Sequence, residues 1–256
     1  MTTISPFAFT LLPAHYHQPK PIQKSPVTII HDGDSNGQIV NIIITDRRAD
    51  IRINKAIDGN LVAVINGRPH ALGIPNSERH TVNITTGHYN DDITIDDNVM
   101  TSVHVKSGSG SDFIKTGGGF ANVDAGKGDD QVQLSTGGGH AHGGAGDDKL
   151  FGGSGDSRLY GDTGENYFFT DIAAHAPKLT QIYSSGTNDR IRAQAGQVNV
   201  TVYSGKPKID VFPDASVTVD LYSSSGGSEI KIKNSHLRPN NVIIPRLRNT
   251  VTIVED

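Results

Sequence analysis

Between Ser107 and Phe169 an apolar side chain returns at a spacing of nine residues: Ile114, Val123, Val132, Ala141, Leu150, Leu159 and Phe168. Cut into nines from Ser107, the stretch reads SGSGSDFIK, TGGGFANVD, AGKGDDQVQ, LSTGGGHAH, GGAGDDKLF, GGSGDSRLY and GDTGENYFF. These are copies of G-G-x-G-x-D-x-U-x, with U a large apolar residue, and only GGAGDDKLF matches at every place. A unit repeating at a fixed period buries its apolar face against its neighbours, so the pattern predicts an elongated stack of short strands and glycine turns. A flexible Gly/Asp-rich linker would not keep an apolar residue at each eighth position.

The same strand-like reading extends to both sides. Val27–Ile30, Ile39–Thr45 and Ile51–Ile53 are short β-branched runs between Gly, Asp and Asn. Asn60–Ile65 and Arg68–Ile74 flank Asn66-Gly67, a two-residue hairpin signal. We read residues 27–85 as opening rungs plus a hairpin that caps the exposed sheet end. ITDRRADIRI (44–53) is an older copy of TTGHYNDDITI (85–95), with Ile51 matching Ile93 and Ala49 standing where the second copy has Asp91. After Phe169, Ile182-Tyr183-Ser184, Val202-Tyr203-Ser204 and Leu221-Tyr222-Ser223 recur. Each precedes an apolar strand, at Arg190-Ile191, Lys208-Ile209 and Glu229–Ile232. Residues 170–256 are therefore expected as further rungs closing near Val242–Val254, with one helical turn at Ile172–Lys178.

Gly143–Phe151 and the copies in register with it resemble the calcium-binding nonapeptide repeats of the RTX (hemolysin-type) proteins. The resemblance is specific over residues 86–169. It implies an all-β fold, a right-handed parallel β-helix (β-roll or solenoid), in which two nonapeptides make one turn and loops on one edge recur every eighteen residues. Sorted by that period, the sixth position gives Asp112, Asp130, Asp148 and Asn166 on one edge and Ala121, Gly139 and Ser157 on the other. The carboxylates survive along one edge only. Asp91 precedes Asp112 by one turn plus a three-residue insertion and begins the same column.

Rungs of a parallel sheet lie about 4.8 Å apart, and calcium takes six to eight oxygens at about 2.3–2.6 Å. The resemblance thus implies calcium bridged between turns by Asp91, Asp112, Asp130, Asp148 and Asn166. Loop carbonyls of Gly108, Gly110, Gly126, Gly128, Gly144 and Gly146 would complete the shells, because glycine adopts the positive φ that turns them inward. Asp129 and Asp147, at the fifth position, add negative potential. Without cations the stacked carboxylates repel, so calcium and folding are expected to be coupled.

Composition narrows the rest. There are 29 Gly and no Cys, which excludes disulfides and thiol catalysis. A net charge of −4 leaves no nucleic-acid footprint, and no apolar run is long enough to span a membrane. Residues 1–26 read as a disordered leader that resembles unstructured type III export signals, whereas RTX proteins carry a C-terminal type I signal. Either route implies secretion, with delivery to a host cell, and a host protein or surface polysaccharide as partner. There is no H-E-x-x-H and no G-x-S-x-G. The resulting reading is a non-catalytic, calcium-gated surface or effector protein. The alternative is a polysaccharide lyase or epimerase using Arg190, Arg192, Lys206, Lys208, Lys231 and Lys233, which fall on successive later rungs. His140 and His142, with Asp124 one rung below, form a candidate transition-metal group, with an exposed polar ladder as the competing reading.

Overall fold

The computed structural model describes residues 27–34, 37–170, 179–221, 228–232, 242–243 and 251–255. The expected leader (1–26) and helical turn (172–178) lie outside the described residues, as do Tyr222, Ser223 and Lys233. All regular structure among the described residues is β-strand, arranged as a parallel solenoid. No described helix is long and apolar enough to cross a membrane.

Each turn contributes one longer and one shorter strand to two parallel stacks. The longer stack runs β2 (Gly37–Ile43), β6 (Thr81–Thr85), β8 (Ser102–Ser109), β10 (Ala121–Lys127), β12 (Gly139–Ala145), β14 (Ser157–Thr163) and β16 (Leu179–Ser184). The shorter runs β3 (Asp50–Lys55), β7 (Asp92–Ile95), β9 (Phe113–Lys115), β11 (Gln131–Gln133), β13 (Lys149–Phe151) and β15 (Tyr167–Phe169).

Alternation along each strand puts every second side chain inside. On the short stack Ile51, Ile93, Ile114, Val132, Leu150, Phe168, Ile191 and Ile209 lie in register and are buried. On the long stack the corresponding column is Ile42, Ile84, Val105, Val123, Ala141, Leu159, Ile182, Val200 and Val219. Burial of one such Val, Leu or Ile side chain stabilises by about 1.5–3 kcal/mol, so these two columns are the core.

The open N-terminal end is covered twice. β1 (Thr28–Asp34) lies antiparallel on β2, and β4 (Asn60–Ile65) lies antiparallel on β3, backed by β5 (Arg68–Pro75). Asn66 and Gly67 have φ of 48° and 75°, as a two-residue hairpin requires. The hairpin cap is thus where the sequence placed it. Residues 27–30 are not an opening rung as expected: the two-residue link from Asp34 to Gly37 permits only antiparallel return.

Past the calcium-type repeats the second edge straightens. β17 (Arg190–Val202) and β18 (Lys208–Leu221) each serve both stacks, and β17 is irregular between Ala193 and Ala195. Thr170 Oγ1 accepts from the N–H groups of both Gln194 and Ala195, at 2.8 and 3.3 Å, and so supplies the acceptor this irregularity needs. β19 (Ser228–Ile232), β20 (Val242–Ile243) and β21 (Val251–Glu255) continue the parallel pairing. Arg190, Lys208 and Glu229 align as expected. The Tyr-containing repeat aligns at one step, Val202 with Leu221, but not at the other, where Ile182 pairs with Val200 rather than Val202. Val198, Val200 and Val202 all point inward, so a two-residue shift keeps the apolar face intact, and matching Tyr to Tyr misjudged the register.

Leu150→Ala should destabilise the calcium-loaded protein by about 2–5 kcal/mol, since it empties one core layer. Lys149→Ala, on an exposed position, should change stability by less than about 0.5 kcal/mol. Urea unfolding of the two variants in calcium checks the contrast.

Candidate calcium-binding column

The loops joining long strands to short ones stack along a single edge. At their base Asp91, Asp112, Asp130, Asp148, Asn166 and Asp189 form one buried column, each at most 2% exposed. Each side-chain Oδ1 accepts a hydrogen bond from the backbone N–H of the preceding column member. The sequence is Ala49 to Asp91 (2.7 Å), Asp91 to Asp112 (2.7 Å), Asp112 to Asp130 (2.7 Å), Asp130 to Asp148 (2.9 Å), Asp148 to Asn166 (3.0 Å) and Asn166 to Asp189 (2.8 Å). One oxygen of every carboxylate is therefore committed to holding the stack.

The other oxygen is not. Oδ2 of Asp91, Asp112, Asp130 and Asp148 is buried and has no hydrogen-bond partner. A buried oxygen of this kind costs about 1–3 kcal/mol, and more when charged. In Asp189 the corresponding atom is satisfied, by the Ser184 hydroxyl at 2.6 Å and the Gly186 N–H at 3.1 Å. Ser184 lies five residues before Asp189, and the same offset gives Ala125 for Asp130 and Gly143 for Asp148. Neither of those has a hydroxyl to offer, and a Cβ on Gly143 would collide with Asp148 Oδ2. At Asn166 the unpartnered atom is Nδ2, a donor, so the run of free carboxylate oxygens ends at Asp148.

Burial raises the carboxyl of Asp130 to about 7 and that of Asp148 to about 6, with negative charge on neighbouring carboxylates adding to the effect. Asp112 is raised for the same first reason. A divalent cation would replace those protons and supply the missing partner to each Oδ2. The backbone around them is built for it. Gly108, Gly110, Gly126, Gly128, Gly144 and Gly146 all have positive φ, between 99° and 139°. A Cβ on Gly126 or Gly144 would strike the carbonyl oxygen of Gly108 or Gly126 on the rung below. Carboxylate and carbonyl oxygens without nitrogen or sulfur form a donor set suited to a hard cation such as calcium. Among the described residues no three His, Cys, Asp or Glu side chains gather into a metal cluster. The rungs of Asp91, Asp112, Asp130 and Asp148 each turn one carboxylate into the column.

Other expected features fall into place differently. Asp129 and Asp147 do more than add charge: their Oδ1 atoms accept from the N–H groups of Asp147 and Glu165 at 2.9 and 2.8 Å, forming a second ladder outside the first. Asp124 and His142 are in register, as expected, yet no transition-metal group is assembled. His142 stacks on Tyr160 at 4.2 Å and meets Asp162 at 3.2 Å, while His140 Nε2 meets Arg158 at 2.9 Å. Tyr160 stacks in turn on Tyr183, so this face is an aromatic and polar ladder. The later basic residues are interleaved with acids: Arg192, Asp210 and Lys231 share one register position, and Arg190, Lys208 and Glu229 another. Asp189 is the column member that sequence reasoning missed. Its signal, Asp-Arg-Ile191, repeats the Asp-x-apolar step of the other rungs, but 23 residues separate it from Asn166 instead of 18.

Residues 142–172 match the family model of the RTX calcium-binding nonapeptide repeat (4 copies). The chain thus carries RTX calcium-binding repeats on a β-solenoid, and calcium is the ion such repeats imply. Neither the curated proteins nor the solved structures gave a match to this chain.

The raised carboxyls fix the sign of a pH dependence. A group whose folded value lies above its unfolded value, here 3.8, favours the folded state below 3.8 and loses that contribution as pH rises through the folded value. In metal-free buffer the far-UV β signal should therefore be greater and melt later at pH 5 than at pH 8. Saturating calcium should reverse the order, because the liganding carboxylates must be deprotonated.

Proposed function

We propose that this RTX-repeat chain is a secreted, non-catalytic calcium-binding solenoid whose repeat turns complete their folding when calcium enters the Asp column. Asp91, Asp112, Asp130 and Asp148 are the side-chain ligands, and carbonyls of Gly108, Gly110, Gly126, Gly128, Gly144 and Gly146 complete the shells. Asn166 marks the end of the run. The observation that carries this reading is the set of four buried Oδ2 atoms, each without a partner, beside loops of left-handed glycine.

When bound, calcium supplies positive charge and oxygen coordination to groups that are otherwise forced to keep protons. The chain's own residues do the rest. Oδ1 of each Asp holds its rung to the preceding one, and the apolar columns set the distance between rungs. The coupling suits export. Where free calcium is low nothing completes the column and the turns stay open for passage; where calcium is abundant the turns close. Outward faces would then be displayed to a host protein or surface polysaccharide.

Far-UV circular dichroism in EDTA should show a reduced β signal that calcium restores, with two to four ions bound by calorimetry. A β signal already complete in EDTA and unmoved by calcium would sink the reading. Asp130→Asn should lose one or two ions and weaken calcium binding at least tenfold, because Asp130 is flanked by column neighbours on both sides. Ser157→Ala and Asp189→Asn should retain the full stoichiometry. Equal loss in all three variants would refute the column assignment.

A further inference from the structure

The edge opposite the Asp column, where short strands lead back to long ones, carries a groove of about 390 Å³. Its lining includes Gln133, Thr136, Phe151, Ser154, Phe169 and Gln194, and among the described residues no ionisable one contributes to it. We infer that this groove is a binding site for a neutral carbohydrate, a segment of one to three sugar rings. The proposal is independent of the calcium column, which lies on the other edge.

Three features point to that ligand class. The first is an aromatic face. Gln133, Phe151, Phe169 and Arg192 occupy one outward register position on successive rungs. The rings of Phe151 and Phe169 stack at 4.6 Å, and the Arg192 guanidinium lies over Phe169 at 6.0 Å. The stack ends at Phe151, whose other face is turned toward the Gln133 rung, inside the groove. A flat apolar face of this kind matches the C–H face of a pyranose.

The second feature is unused hydrogen-bonding capacity. Among the described residues, the amides of Gln133 and Gln194 and the hydroxyls of Thr136 and Ser154 have no protein partner. Each amide offers donor and acceptor together, and each hydroxyl offers both on one atom. Sugar hydroxyls require that double character. A site that leaves such groups unpaired for the wrong ligand discriminates strongly in favour of the right one.

The third is neutrality. Among the described residues no ionisable side chain belongs to the lining itself; Asp97 stands behind Ser135, whose hydroxyl donates to it at 2.7 Å, and Arg192 lies beyond Phe169. Small-molecule sites pair an apolar surface with a few convergent polar groups in about 300–1,000 Å³, and this groove is at the lower end of that range. Gly152 and Gly153 let the chain pass close under this edge: a Cβ on Gly153 would strike the carbonyl oxygen of Ser135 on the neighbouring rung.

The test uses the full chain in saturating calcium on an array of neutral and acidic glycans, followed by calorimetry and saturation-transfer NMR with the neutral oligosaccharides that bind. The expected result is binding of neutral glycans, with saturation transferred to the C–H face of one ring. Phe151→Leu should weaken binding at least tenfold. Gln133→Glu, at an exposed position that leaves packing intact, should weaken it severalfold. Calcium stoichiometry and circular dichroism should be unchanged in both variants, so a failed calcium reading and a failed sugar reading are told apart. Absence of neutral-glycan binding, binding confined to acidic glycans, or neutral-glycan binding that both variants retain would each overturn the assignment. Displacement of no sugar, but tight capture of an unstructured peptide in the groove with the same variant sensitivity, would overturn it in favour of a protein ligand.

Discussion

One buried carboxylate per rung, at the spacing of a parallel sheet, is the constraint around which this molecule is arranged. Rungs about 4.8 Å apart leave no room for solvent between successive Asp side chains, and water is the partner they would otherwise have. Half of each carboxylate is absorbed into the fold, where Oδ1 receives an N–H from the neighbouring rung. The other half is left to be completed. At Asp189 a serine and a backbone N–H complete it from within the chain. At Asp130 and Asp148 the equivalent positions hold Ala125 and Gly143, which supply nothing. At Asp112 and Asp91 the same offset holds Ser107 and Thr86, but those hydroxyls donate to the carbonyls of Ala125 and Ser107, so a hydroxyl there completes the carboxylate only where it is aimed at it, as in Ser184.

The remaining surfaces follow from the same stacking. Because identical positions overlie one another, side chains outside the sheets form ladders as regular as the columns inside. His142, Tyr160 and Tyr183 stack along the long-strand face, and Phe151 and Phe169 along the short-strand face. Along the later rungs Arg192, Asp210 and Lys231 alternate in sign, while Arg190 and Lys208 are adjacent in the neighbouring column. The antiparallel strands β1 and β4 close the N-terminal end, where a parallel stack would otherwise present unpaired backbone. One edge thus carries the buried carboxylate column, the other Gly-rich loops whose acids, Asp97 and Asp156, are paired at the surface, and the outer faces carry stacked rings.

Much of this was legible in the chain. The nine-residue return of Ile114, Val132, Leu150 and Phe168 dictated stacked strands, because only a coil of that period keeps all of them inside. The separation of Asp112, Asp130 and Asp148 from Ala121, Gly139 and Ser157 by an eighteen-residue period puts the carboxylates on one edge. Asn66-Gly67 located the cap. These features are local or strictly periodic, and local geometry decides them. Tertiary structure decided what depended on insertions and on register. Asp189 was obscured because residues between Asn166 and the next rung break the period, and only backbone pairing shows that the column resumes. The true partner of Ile182 is Val200, since a strand of alternating valines fits equally well after a two-residue shift and sequence identity cannot choose between the two. The unpartnered Oδ2 atoms, and the groove beside Phe151, exist only once turns are stacked, because both are properties of the space between rungs rather than of any one of them.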